Sequence, residues 1–145
     1  MPNATVPVEV LLVEDNPGDI RLVREALRDS PIPLNLTVAQ DGQEALDLLF
    51  RVGPHGNARR PQLILLDLNL PKRSGHEVLQ GVKEDAELRT IPVVIVSSTG
   101  AREEVLRAYR LSANCYVRKP VDLDTTLQTI RDIFNFWFDR ATLPA

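Results

Sequence analysis

Apolar residues recur along the chain in short unbroken runs that alternate with longer segments of helical spacing. Unbroken runs are typical of strands buried on both faces of a parallel sheet. They predict strands at 8–13, 63–66 and 93–96, and a fifth strand at 113–117. At 34–38 apolar and polar residues alternate, which predicts a second strand that is half exposed.

Segments that follow the strands have apolar residues at helical spacing, and most open on a helix-start signal. Asn16 and Pro17 combine a capping side chain with proline at the first helical position. Capping-box spacing follows Asp41 and Ser74, and Asp122 is placed to cap a last helix that runs to about Phe138.

Five strand–helix pairs with right-handed crossovers predict a single parallel sheet. If the second and fifth strands are the edges, the strand order is 2-1-3-4-5. This is the flavodoxin-like (βα)5 doubly wound fold, with its switch point between strands one and three. We expect a flexible N-terminal tail at 1–7, one domain at 8–138 and a C-terminal tail at 139–145.

The composition argues against nucleic-acid binding, a membrane span and secretion, but it does not identify a function. The chain has 145 residues, a net charge of −3 and a single cysteine. The charge gives no reason to expect nucleic acid as a partner. No apolar run approaches the ~18 residues of a membrane span, and the N-terminus is not a secretory signal. These features favour the cytoplasm.

Carboxylates follow two neighbouring strands at the predicted switch point. Glu14 and Asp15 follow strand one, and Asp67 follows strand three. Two unit charges ~4 Å apart repel by roughly 4 kcal/mol at an effective dielectric near 20. Such a cluster either raises its own pKa values or holds a hard cation such as Mg²⁺. The alternative, that Glu14 or Asp15 only caps the first helix, stays open.

Two further polar residues reach the same edge of the sheet. Ser97 ends strand four and Lys119 ends strand five. A cation, a carboxylate cluster, a lysine and a hydroxyl together suit a phosphoryl group, with Asp67 as a possible nucleophile. Considered alone, Lys119 could be an ordinary surface lysine, and Ser97 could be part of a turn at the strand end.

Read together, the motifs resemble the receiver domain of two-component response regulators. The resemblance covers 8–138 and is carried in order by Glu14-Asp15, Leu66-Asp67, Leu70-Pro71, Gly75, Val96-Ser97 and Lys119-Pro120. It departs from the commonest pattern by having Glu-Asp as the acidic pair and serine as the hydroxyl residue.

The resemblance implies that Asp67 accepts a phosphoryl group from the phosphohistidine of a histidine kinase. It implies Mg²⁺ held by Asp15, Asp67 and the backbone carbonyl of Asn69, with Glu14 acting through water. Lys119 then pairs with the phosphoryl group, and the Lys119–Pro120 bond is expected to be cis.

A conformational switch is also implied by the resemblance. Ser97 moves toward the new phosphoryl oxygens, and the aromatic residue three positions before the lysine, Tyr116, turns inward. The domain would then be a signalling module and not an enzyme, acting on a downstream protein that the sequence does not identify.

The last predicted helix carries more apolar surface than one sheet face needs. We expect a homodimer that uses this helix and the preceding strand. The alternative is a tail that folds back on its own sheet. The expected interface residues are Leu127, Ile130, Phe134, Phe136, Trp137 and Phe138.

The aromatic ending and the loop from Gly53 to Pro61 resemble the single-domain regulators that partner cyanobacterial phytochromes. This narrower resemblance implies a light-regulated histidine kinase as the phosphoryl donor.

Two other functions compete with this interpretation. A phosphatase of the haloacid-dehalogenase class also uses an aspartate nucleophile and Mg²⁺, but it needs a second aspartate where this chain has Asn69. A receiver-like scaffold that is not phosphorylated is the other rival, and the intact acid set and Lys119 argue against it. A nucleotide-binding fold is disfavoured because no glycine-rich fingerprint follows strand one.

Overall fold

Five parallel strands form one sheet whose order confirms the predicted topology. A computed structural model describes residues 6–144. The strands are β1 (Val8–Val13), β2 (Leu34–Ala39), β3 (Leu63–Leu66), β4 (Val93–Ser97) and β5 (Cys115–Arg118). Their order in the sheet is β2-β1-β3-β4-β5.

Helices follow every strand, as the spacing predicts. They are α1 (Pro17–Arg28), α2 (Gly42–Leu49), α3 (Gly75–Glu84), α4 (Arg102–Arg110) and α5 (Leu123–Asn135). A short 3₁₀ turn covers Gly53–His55, and a π-helical turn at Phe136–Arg140 continues α5. The predicted tail at 1–7 lies largely outside the described residues, and the chain stays helical as far as Arg140.

The capping side chains predicted from the sequence start four of these helices. Asn16, Asp41 and Asp122 each accept a hydrogen bond from a backbone N–H in the first turn of the helix that follows. Ser74 and Glu77 form a reciprocal capping box at α3. These bonds satisfy backbone donors that have no partner within the helix.

Two apolar layers bury the sheet on both faces. Helices α2, α3 and α4 cover one face, and α1 and α5 cover the other. All four residues of β3 are buried, as a central parallel strand requires. β2 alternates between partly buried and exposed positions along most of its length, which agrees with its place at the sheet edge.

One expectation from the resemblance is wrong: the Lys119–Pro120 peptide bond is trans. The trans form of such a bond is favoured by about 0.5–1 kcal/mol unless its surroundings compensate. Next to this bond, the Lys119 N–H donates to the Ser97 carbonyl at 2.7 Å. The Thr126 hydroxyl donates to the Asp122 carbonyl at 2.7 Å and lies 3.2 Å from the Pro120 carbonyl.

Between residues 6 and 144, none of the helices combines the length and the apolar character that crossing a bilayer requires.

Candidate functional site

Three carboxylates gather at the carboxyl ends of β1 and β3. Glu14 and Asp67 are buried, at 4% and 8% exposure, while Asp15 is exposed. One oxygen of Glu14, of Asp15 and of Asp67 can be chosen so that all lie within 4.8 Å of one another. This spacing, the partial exposure and the all-oxygen donor set fit a hard divalent cation.

Burial is the largest influence on the pKa of the Glu14 carboxyl group. It raises the pKa of Glu14, and the nearby charge of Asp67 raises it further. The hydrogen bond from Lys119 acts in the opposite direction, and the balance raises the pKa of Glu14 to about 7. The negative charge of Glu14 is therefore costly even with Lys119 beside it, and a bound divalent cation would stabilise it.

The Lys119 ammonium group bridges acids from three elements. Its Nζ lies 2.8 Å from Glu14 Oε1, 2.8 Å from Asp19 Oδ2 and 3.8 Å from Asp67 Oδ2. Burial alone would lower the pKa of Lys119, but hydrogen bonds to Asp19 and Glu14 and the charge of Asp67 raise it above its ordinary value. Lys119 is therefore a partly buried cation paired with acids, and not the surface lysine of the alternative interpretation.

Asp19 is a site residue that the sequence reasoning missed. It occupies the first turn of α1, three residues after the capping residue Asn16, where an acid usually supports the helix start. The only signal for its role is that this turn follows Glu14 and Asp15 directly. From that position its carboxylate reaches Lys119.

The segment after β3 fixes the position of Asp67. The Asp67 N–H donates to the Val13 carbonyl at 3.0 Å, and the Asn69 N–H approaches Asp67 Oδ1 at 3.4 Å. Gly75 packs so tightly against the Asp67 carbonyl oxygen and Leu68 that no side chain fits there.

Contacts with the start of α2 support the segment after β3. The Gly42 N–H donates to the Pro71 carbonyl at 3.3 Å, and Lys72 lies 3.5 Å from Asp41. The backbone of Lys72 has a φ of 65°. This left-handed conformation is uncommon for a residue with a side chain.

The predicted switch residues lie on adjoining strands. Ser97 is fully buried, and its Oγ lies 3.4 Å from the Thr99 N–H. Tyr116 is partly buried, and its hydroxyl donates to the Thr99 carbonyl at 2.7 Å. On the outer side of β5, the Tyr116 N–H donates to the Tyr109 hydroxyl of α4 at 3.1 Å. The backbone of Thr99, in the loop after β4, thus contacts both predicted switch residues.

The residues expected at a dimer interface divide into two groups. Ile130 and Phe134 lie in the core of the protomer, each 4% exposed, so they are not available to a second copy. The remainder are at least partly exposed: Leu127, Trp137 and Phe138 pack against the core edge, and Phe136 is 53% exposed.

The chain is similar to proteins of a known family. The sequence profile of the response regulator receiver domain matches residues 10–131. Response regulator Rcp1 from Synechocystis sp. is 42% identical over 139 residues, which cover 96% of this chain and 95% of Rcp1.

Solved structures extend the similarity to the three-dimensional fold. The phosphorylated cyanobacterial phytochrome response regulator RcpA is 44% identical, with a TM-score of 0.95, over 97% of this chain and 100% of RcpA. The Mn²⁺-bound form of Rcp1 gives a TM-score of 0.94 at 42% identity, over 96% of this chain and 100% of that one. Both the sequence profile and these relatives span nearly the whole chain, which therefore belongs to the response regulator receiver domain family.

Proposed function

We propose that this receiver domain is switched by transfer of a phosphoryl group from a histidine kinase to Asp67. The observation that carries the proposal is the position of Asp67, buried beside Glu14 and Asp15 and 3.8 Å from Lys119 Nζ. An Asp67 oxygen attacks phosphorus while the bond from phosphorus to the histidine nitrogen breaks, and the nitrogen takes up a proton. The product is an acyl phosphate on Asp67.

Mg²⁺ is the proposed cofactor, held by Asp15, Asp67 and the Asn69 carbonyl, with Glu14 acting through water. When bound, the ion neutralises charge on the phosphoryl oxygens. The donor set supports this assignment, because Mg²⁺ prefers oxygen ligands and keeps several waters.

Lys119 and Ser97 are the proposed partners of the phosphoryl oxygens. Lys119 supplies a positive charge from β5, and the Ser97 hydroxyl supplies a hydrogen-bond donor from β4. Because Thr99 contacts both Ser97 and Tyr116, a shift of Ser97 toward the phosphoryl group also disturbs the hydrogen bond of Tyr116. We propose that this coupling alters the surface formed by α4 and β5, which a downstream protein then recognises.

The proposed phosphoryl donor is a phytochrome-type histidine kinase, on the strength of the similarity to RcpA. We also propose that the domain acts in the cytoplasm, which its single cysteine favours. A homodimer through the last strand and helix remains part of the proposal. Exposed Phe136 and partly exposed Trp137 would be its central contacts.

Acceptance of a phosphoryl group fits the site better than phosphatase activity. The residue two positions after Asp67 is Asn69, whose amide cannot serve as the general acid of the phosphatase mechanism. Any hydrolysis would then be the loss of the protein's own phosphoryl group.

The test is incubation with acetyl phosphate, with and without Mg²⁺, followed by intact mass measurement. We expect one added phosphoryl group on the wild type, and none on Asp67→Asn or in the presence of EDTA. Asp124→Asn is the matched control, because Asp124 is an exposed acid in the first turn of α5. An Asp67→Asn protein that is labelled as fully as the control would refute the assignment.

A further inference from the structure

We propose that Asp19 is a positioning residue that competes with the phosphoryl group on Asp67 for the Lys119 ammonium group. In this arrangement Asp19 slows phosphorylation by holding Lys119 in its resting position. The inference rests on the proposed function, since it gives Asp19 a part in the phosphorylation of Asp67.

The distances around Lys119 define the competition. Two of its contacts, to Glu14 and to Asp19, measure 2.8 Å, whereas the contact to Asp67 measures 3.8 Å. A lysine has three N–H donors, and the two short contacts are charge-assisted hydrogen bonds. Lys119 is thus held mainly by residues that do not accept the phosphoryl group.

The Asp19 carboxylate is not the capping-box acceptor of helix α1. In a capping box, an acid at this position accepts a hydrogen bond from the backbone N–H of the capping residue. Here Glu14 Oε2 lies 3.2 Å from the Asn16 N–H and takes that role. The Asp19 backbone N–H donates to Asn16 Oδ1 at 3.0 Å. The side chain of Asp19 is therefore free to bind Lys119.

Of the two acids that hold Lys119, Asp19 is the easier to release. The Asp19 side chain is 33% exposed, so water can replace the lysine, whereas the Glu14 side chain is only 5% exposed. New oxygens on Asp67 would attract the ammonium group across the longest of its three contacts. Loss of the contact to Asp19 is then the step that lets Lys119 reach them.

Two measurements on Asp19→Asn test the proposal. Nitrogen-15 NMR of the Lys119 ammonium group reports its hydrogen bonds in the unphosphorylated protein, and we expect faster proton exchange in the variant. Labelling by acetyl phosphate at saturating Mg²⁺ should be about three- to tenfold faster, the range expected when one partly exposed charge-assisted hydrogen bond is lost. Asp19→Glu, which keeps the carboxylate, should restore values near those of the wild type.

The control variant Asp124→Asn removes the same charge from the first turn of another helix. Both variants are compared at high ionic strength, where exposed charges at a distance are screened. An increase in labelling rate that is equal in both variants contradicts the proposal, and so does an increase that disappears at high salt. Either result would mean that removing a negative charge only strengthens the attraction of the anionic phosphoryl donor. Unchanged exchange at Lys119 also contradicts it.

The experiment separates this inference from the proposed function. If the wild-type protein takes no phosphoryl group, both the proposed function and the competition for Lys119 are contradicted. If the wild-type protein is labelled as fast as Asp19→Asn, only the competition for Lys119 is contradicted. Urea unfolding of each variant confirms that the compared proteins are equally folded.

Discussion

Gly75 offers a direct test of how tightly the segment after β3 is packed. A methyl group at this position would lie 2.5 Å from Leu68 Cα and closer still to the Asp67 carbonyl oxygen. Carbon atoms in contact are normally about 3.5–4.0 Å apart, so the backbone of Gly75→Ala must move by roughly 1 Å. Because the obstacle is backbone, no side-chain rotation can relieve it.

The expected cost follows from two opposing effects. Overpacking of this kind destabilises by about 1–3 kcal/mol. Replacing glycine by alanine in a helix returns at most about 1 kcal/mol, and less in the first turn. We therefore expect Gly75→Ala to lower the free energy of unfolding by about 1–2 kcal/mol. It should also weaken Mg²⁺ binding, because Asp67 moves with its carbonyl group.

Urea unfolding and titration calorimetry with Mg²⁺ measure the two effects. With a urea dependence of about 2 kcal/mol per M, the unfolding midpoint should fall by about 0.5–1 M. Gly56→Ala is the matched control, since a methyl group there would be 3.7 Å from its nearest neighbour. If both variants unfold at the same urea concentration, the steric reasoning is wrong. If only stability changes, the link to metal binding is wrong.

Two further predictions concern other parts of the fold. Burial and then the charge of Arg107 lower the pKa of His76 in α3, against the opposing effect of Glu104, 3.4 Å away. The unfolded chain therefore binds more protons at this group below pH ~6.5, so the contribution of His76 to stability should fall as pH drops, by at most about 1.4 kcal/mol per pH unit. The raised pKa of Glu14 acts in the opposite direction over the same range. The change in urea midpoint between pH 7.5 and 5.5 should therefore be less favourable for the wild type than for His76→Leu, and an equal change in the two proteins would contradict the prediction. Gly42→Ala should lower both the unfolding midpoint and Mg²⁺ affinity in the assays above, because its methyl group would overlap the Arg73 carbonyl oxygen. An unchanged Mg²⁺ affinity would mean that the loop position does not depend on α2.

The sequence was sufficient to predict the sheet and the acidic cluster, for a physical reason. Unbroken apolar runs identify central strands, and the carboxyl ends of parallel strands meet at one edge. Residues such as Glu14 and Asp67, placed directly after such runs, must therefore come together. The distances confirm this. The approach of Lys119 follows from the same rule applied to β5.

Asp19 could not be identified in the same way. Its spacing from Asn16 matches a helix cap, and local reasoning stops at that explanation. Its partner is Lys119, one hundred positions along the chain. The Asn16 N–H, which a capping acid at Asp19 would accept, donates to Glu14 instead. Contacts made by long side chains across several elements leave no periodic pattern.

The last helix shows a different limit. Apolar residues at 127–138 are spaced to cover one helical face, but periodicity does not distinguish a face buried in the protomer from one offered to a second copy. In the structure Ile130 and Phe134 fill the protomer core, whereas Phe136 remains exposed. The bond before Pro120 is a further case, since the motif Lys119-Pro120 implied a cis bond and the bond is trans.

The contact between the Tyr109 hydroxyl and the Tyr116 N–H has a consequence for assembly. β5 is an edge strand, and the free backbone groups of such an edge can recruit a strand from another molecule and seed aggregation. Tyr109 occupies one of these groups, on a strand only four residues long. Strand-to-strand annealing along β5 would have to displace that tyrosine, so a dimer that uses β5 and α5 should contact β5 through its side chains and not by extending the sheet.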